Sequence, residues 1–186
     1  MGRGAQSLAR VAVVVRAGAA PLFVLGLLSA AVGTLPPGLT GRRIGLLTGA
    51  ALFLIAAAAT ALVRRGRYLR FEAAATRAGR ADFLQDRKVT LRTRRRARRL
   101  PLVLAPLAAI GTSFVMPAAG GLLLAGVGTG LWAKAVWLGH RERVAETLFW
   151  VRADRAAAGP VAGQVEGFST TGIAAGDAGP GGARRR

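Results

Sequence analysis

A chain of 186 residues that is 52% hydrophobic and yet carries a formal net charge of +19, from 27 basic and 8 acidic residues, does not read as a soluble domain. Such a domain mixes apolar and charged residues at helix or strand period, whereas here long apolar runs alternate with Arg-rich runs, as in a polytopic membrane protein. There is no cysteine, which excludes disulfides, thiolate chemistry and Cys-ligated zinc, and the length allows one compact bundle and a tail rather than two domains.

In chain order, residues 1–16 form a short N-terminal segment with Arg3, Arg10 and Arg16. An apolar run follows at 17–35, closed by Pro36-Pro37. It contains Ser29-Ala30-Ala31, which resembles a signal-peptide cleavage site, but the run is longer than a signal core and reads as a retained span. The second span, 44–63, lies between Arg42-Arg43 and Arg64-Arg65 and contains neither charge nor proline. Residues 64–99 form a basic loop, predicted to be partly helical from Tyr68 to about Gly79. The third span, 100–117, carries Pro106 and is expected to kink there. The fourth runs over about 118–138, and Pro117 with Gly120-Gly121 predicts a break between the two.

The fold class expected is therefore all-α. It is a bundle of four transmembrane helices arranged as two hairpins, 17–63 and 100–139. Ala20-Pro21-Leu22 and Ala105-Pro106-Leu107 open the hairpins alike, as a parallel two-plus-two repeat would. Residues 140–158 read as a cytoplasmic or interfacial helix, with Val144, Leu148 and Val151 on one face. Residues 159–186, rich in Gly, Ala, Ser and Thr, read as a disordered tail.

Charge sets the orientation. The segments before the first span, between the second and third, and after the fourth hold 3, 14 and, counting Lys134, 8 basic residues. The two turns on the opposite side hold 2 and 0. The positive-inside rule thus places both termini and the central loop in the cytoplasm of a plasma-membrane protein.

Three groups of residues stand out. Arg92, Arg94, Arg95, Arg96, Arg98 and Arg99 form the densest basic cluster. Beyond fixing topology, such a cluster is drawn to anionic phospholipid or to an acidic membrane or cytoplasmic protein partner. Nucleic acid is disfavoured, because no base-reading module accompanies the arginines. Gly41, Gly45 and Gly49, with Gly126 and Gly130, repeat small residues at four-residue spacing, which lets helix backbones approach within the bundle or in a homo-oligomer. Trp132, Lys134 and Trp137 read as an interfacial anchor, with the lysine reaching for the surface and the indoles in the aromatic belt.

Chemistry-bearing residues are sparse. The spans contain no Asp, Glu or His, which counts against a proton-coupled carrier. His140 is the single histidine, and its neighbours Arg141, Glu142, Arg143 and Glu146 read as a solvated helix face. No catalytic, metal or cofactor residues are assigned. The function expected is that of a small non-enzymatic membrane protein acting by helix packing and by its basic loop. The alternative is a membrane subunit of a transport system, with Lys134 beside its path.

Overall fold

The computed structural model describes residues 7–36, 38–79, 82–173 and 175. Its elements, in order, are β1 (Ser7–Arg10), α1 (Val11–Arg16), α2 (Ala19–Gly33), α3 (Arg42–Leu62), α4 (Arg65–Ala73), β2 (Thr76–Arg77), β3 (Phe83–Leu84), α5 (Arg87–Ala97), α6 (Arg99–Thr112), α7 (Ala119–Val144), β4 (Thr147–Arg152) and β5 (Ser169–Gly172). Helix predominates, but the all-α expectation is corrected by one five-stranded sheet. The chain divides into two compact units.

The helical unit comprises Arg16–Val63 and Arg95–Lys134. Among the described residues, three helical stretches are long and apolar enough to cross a bilayer: Val11–Gly33, Arg42–Ala73 and Ala119–Val144. Helix α6 is shorter, although hydrogen bonds from the Val115 and Met116 amides to the Thr112 carbonyl (3.1 and 2.9 Å) carry the winding past its end. Pro106 lies inside it, as its position in the sequence predicts.

The helices of this unit meet backbone to backbone at small residues. A Cβ placed on Gly121 would stand 2.6 Å from the Ala30 Cα, and one on Gly128 would stand 2.9 Å from the Phe23 Cα. One face of α7 therefore abuts α2. Cβ atoms on Gly126 and Gly130 would meet the Phe53 Cα at 2.9 Å and the Ala57 oxygen at 2.5 Å, so another face abuts α3. Outward from these seams the surface is apolar: Leu46, Leu47, Leu54 and Ile55 of α3 and Leu100, Val103, Leu104 and Leu107 of α6 are all exposed. Apolar faces of that extent belong in hydrocarbon rather than water. The two turns of the unit are tied together, with the Leu39 and Thr40 amides donating to the Phe114 and Val115 carbonyls at 3.2 and 3.3 Å.

The sheet unit comprises the chain up to Val15, Arg64–Arg94 and the chain from Ala135. Its strand order is β2-β5-β4-β1-β3. The central strands β5, β4 and β1 are antiparallel, while the outer strands pair in parallel, β2 with β5 and β3 with β1.

Two local expectations are overturned here. Residues 140–158 are not one helix: α7 ends at Val144, Glu146 adopts a left-handed backbone (φ 51), and β4 begins at Thr147. Leu148, Phe149, Trp150 and Val151 are all buried. A strand flanked on both edges and covered on both faces carries a continuous apolar run, which periodicity alone does not separate from a helix. The tail expected to be disordered from Gly159 instead supplies β5 and the core residue Phe168, 3% exposed. Phe168 packs against Phe71, Tyr68 and Phe149 at ring distances of 5.3, 6.2 and 6.2 Å. Burial of Phe168 together with Val161, Ala162 and Val165 offsets part of the entropy lost in ordering this Gly-rich segment. Residues 176–186 of the expected tail lie outside the described residues.

Candidate functional site

The basic cluster does not act as one group. Arg92, Arg95 and Arg96 lie on α5 at i, i+3 and i+4, a spacing that puts them on one helix face. All three are exposed, as are Arg98 and Arg99 at the start of α6. Among the described residues, these five guanidinium groups have no hydrogen-bonded or ion-paired protein partner. Arg94 points elsewhere. It is half-buried, and its Nη1 donates to the carbonyls of Ala156 and of Ala157, the latter at 3.1 Å. It thereby holds the segment that follows β4, so a run of like residues divides into an exposed basic face and a structural tie.

Other arginines of the sheet unit are likewise committed to structure. Arg10 and Glu142 form a forked pair, with Nε to Oε2 at 3.1 Å and Nη2 to Oε2 at 2.6 Å. Glu142 is 1% exposed and also accepts the Phe149 amide at 3.2 Å. A carboxylate removed from water needs this full set of donors. Arg141 makes a second fork with Glu72, 2.8 Å at its closest. Arg67 donates to the Val161 carbonyl at 2.9 Å. The solvated helix face expected for Arg141, Glu142, Arg143 and Glu146 is corrected in part: Arg143 and Glu146 are exposed, but Glu142 is a buried anchor and Arg141 binds Glu72. Of the 8 acidic residues, Glu72, Glu142, Asp154 and Glu166 are ion-paired with arginine among the described residues. On the surface, the Arg152 guanidinium hydrogen-bonds Asp154 at 3.0 Å and holds its carboxyl below the usual carboxylate range.

Of the small residues singled out, Gly45, Gly49, Gly126 and Gly130 stand at helix contacts. A Cβ on Gly45 would lie 2.6 Å from the Pro117 oxygen, and one on Gly49 would lie 3.2 Å from the Ala119 Cα. Gly41 is different: it precedes α3 with φ 80, and nothing lies within 4 Å of its Cβ position. Its role is conformational, since that backbone region favours glycine.

The three anchor residues also separate. Trp132 is 55% exposed. Trp137 is half-buried, with the Arg65 guanidinium 4.5 Å from its ring centroid and Tyr68 edge-on at 6.4 Å. Lys134 is only 6% exposed, and its ammonium donates to the Val63 carbonyl at 2.9 Å. Val63 closes α3, where the last carbonyls lack intrahelical donors and carry the negative end of the helix dipole. The lysine is a helix cap.

His140 is exposed, and among the described residues no group of three or more His, Asp or Glu is placed to hold a metal ion. No family model, curated protein or solved structure matches the chain.

Proposed function

We propose that the chain is a non-enzymatic plasma-membrane protein that crosses the bilayer four times and presents the exposed arginine face of α5 to anionic phospholipid at the cytoplasmic surface. The observation that carries this reading is the origin of the sheet. Its strands come from before the first apolar helix (β1), between the second and third (β2, β3), and after the last (β4, β5). Strands hydrogen-bonded in an open sheet lie on one side of a bilayer, so an even number of crossings must separate them. If α7 crosses between β3 and β4, α6 crosses too. The winding that continues to Met116 gives α6 about 27 Å at about 1.5 Å per residue, close to a bilayer core of about 30 Å. The hydrogen bonds between the turns at Leu39-Thr40 and Phe114-Val115 support the same count.

All basic residues of the loops and termini except Arg42 and Arg43 then share the side of the strands, as the positive-inside rule favours. Arginines without a protein partner beside a membrane surface are available to lipid phosphates, to which guanidinium groups bind through paired donors. Lys134, the one ionisable residue a transport path would have used, is occupied as a helix cap, so nothing specific favours the transport reading.

Spin-labelled phosphatidylglycerol and phosphatidylcholine, compared by electron spin resonance on the reconstituted protein, test the lipid preference. The combined Arg92→Gln, Arg95→Gln and Arg96→Gln variant should lower the preference for the anionic lipid by about tenfold or more, given about 1 kcal/mol per charge near the surface. An unchanged preference would reduce the cluster to a topology signal.

A further inference from the structure

The sheet unit contains a second site, remote in sequence from the arginines of α5. A cleft of about 390 Å³ opens between β1, β4 and the segment leading into β5. Its floor is Leu8, Val151, Val165 and Phe168, each nearly buried, and the charged groups at its rim are Arg152 and Arg155 with Asp82 and Glu166. We propose that this cleft binds a small amphipathic oxyanion: a carboxylate or phosphate monoester on a short apolar body.

Three observations carry the assignment. The first is the pairing state of the arginines. Arg152 is held by Asp154 and Arg155 by Glu166, and these carboxylates are 60% and 83% exposed. Ion pairs with exposed carboxylates contribute little, so an incoming oxyanion that engages a guanidinium fork through two donors displaces them at small cost. The second is the state of the remaining acid in the lining. Asp82 accepts the Gly79 amide at 2.8 Å, and among the described residues it forms no ion pair with Arg152 or Arg155. The third is size. The volume lies near the low end of ligand sites, about 300–1,000 Å³, which suits a chain of a few carbons and excludes a whole diacyl lipid. The strong positive charge of the chain raises the local concentration of anions.

Isothermal titration of the full-length protein in phosphatidylcholine nanodiscs, with empty nanodiscs as the blank, tests the proposal. The probes are octyl phosphate, octanoate, octanol and inorganic phosphate. Octyl phosphate or octanoate should bind at least about tenfold more tightly than octanol or inorganic phosphate, because each control lacks one half of the recognition. Which of the two binds better identifies the head group. Arg155→Gln should weaken binding about tenfold, and Val165→Trp, which fills the cleft, should abolish it. The Arg92→Gln/Arg96→Gln variant should leave it unchanged, which separates this site from the lipid surface of α5. Glu166→Gln removes the resident competitor and should tighten binding, so the proposal stays exposed even if Arg155→Gln fails to fold. Equal binding of octanol, no binding of either anionic probe, or indifference to both the Arg155 and Glu166 variants would overturn it.

Discussion

The two units of this protein are stabilised by opposite means. The helical unit turns large apolar side chains outward and joins its helices through glycine and alanine. The sheet unit turns aromatic side chains inward and joins distant segments through charged forks. The difference follows from solvent. In hydrocarbon, burying a leucine against another helix gains little over leaving it in lipid, so close backbone contact decides association. In water, ring burial gains by removing apolar surface, and a buried carboxylate is tolerated only when fully paired. Among the described residues, the ion-paired acids all belong to the sheet unit, and the glycines packed against another segment's backbone all belong to the helical unit.

The largest expected effect is on the sheet unit. Glu142→Ala leaves Arg10 and the Phe149 amide without their acceptor, and removing one partner of a buried pair costs about 3–5 kcal/mol, less here because Arg10 is partly exposed. Trp150 lies in the same sheet, with its indole N–H on the Thr171 hydroxyl at 2.7 Å. In a Trp132→Phe/Trp137→Phe background its fluorescence should report unfolding of the sheet unit at lower denaturant, while far-ultraviolet circular dichroism retains most helix. Simultaneous loss of both signals would show that the two units do not differ in this way.

Next come the glycine seams. Gly121→Val forces a branched side chain against the Ala30 backbone, and overpacking of this kind costs about 1–3 kcal/mol. Gly41→Ala meets no neighbour, so its cost is backbone strain alone at φ 80 and ψ 157, a region nearly confined to glycine, about 1–3 kcal/mol. Thermal unfolding in nanodiscs should rank the two in that order, since the first parts two helices and the second strains one residue. The reverse order would place the stability of the helical unit elsewhere than in its backbone contacts.

The smallest effect sharpens the boundary between the two modes. Lys134→Met keeps the length and apolar stem but removes the donor to Val63, a loss of about 1–2 kcal/mol for a charged hydrogen bond at a helix terminus. Hydrogen exchange should quicken in the last turn of α3 and not in α6. Unchanged exchange would return the lysine to the role of an interfacial anchor.

What was legible in the sequence follows the same division. Apolar runs, the break near Pro117, the kink residue Pro106 and the spacing of Gly126 and Gly130 are local, and lipid rewards them locally. The sheet was not legible. Its outer strands are two residues long, and its central strand β4 satisfies a helical spacing as well as an extended one. Phe168, the centre of its aromatic cluster, is surrounded in sequence by residues typical of tails. Glu142 stood at helix spacing beside arginines, while its partner Arg10 lies 132 positions away. Arg94 differs from its neighbours only in the direction of its side chain, which residue type does not disclose.

The central claim is that four crossings place β1, β3 and β5 on one side of the membrane, and the absence of native cysteine makes it directly measurable. Single variants Leu39→Cys, Phe83→Cys and Glu166→Cys, at positions 85%, 69% and 83% exposed, would be labelled with an impermeant maleimide before and after permeabilisation of cells. Four crossings predict that position 39 labels in intact cells and that positions 83 and 166 label together, only after permeabilisation. Labelling of 83 and 166 from opposite sides would mean that α6 does not cross, and would contradict the account.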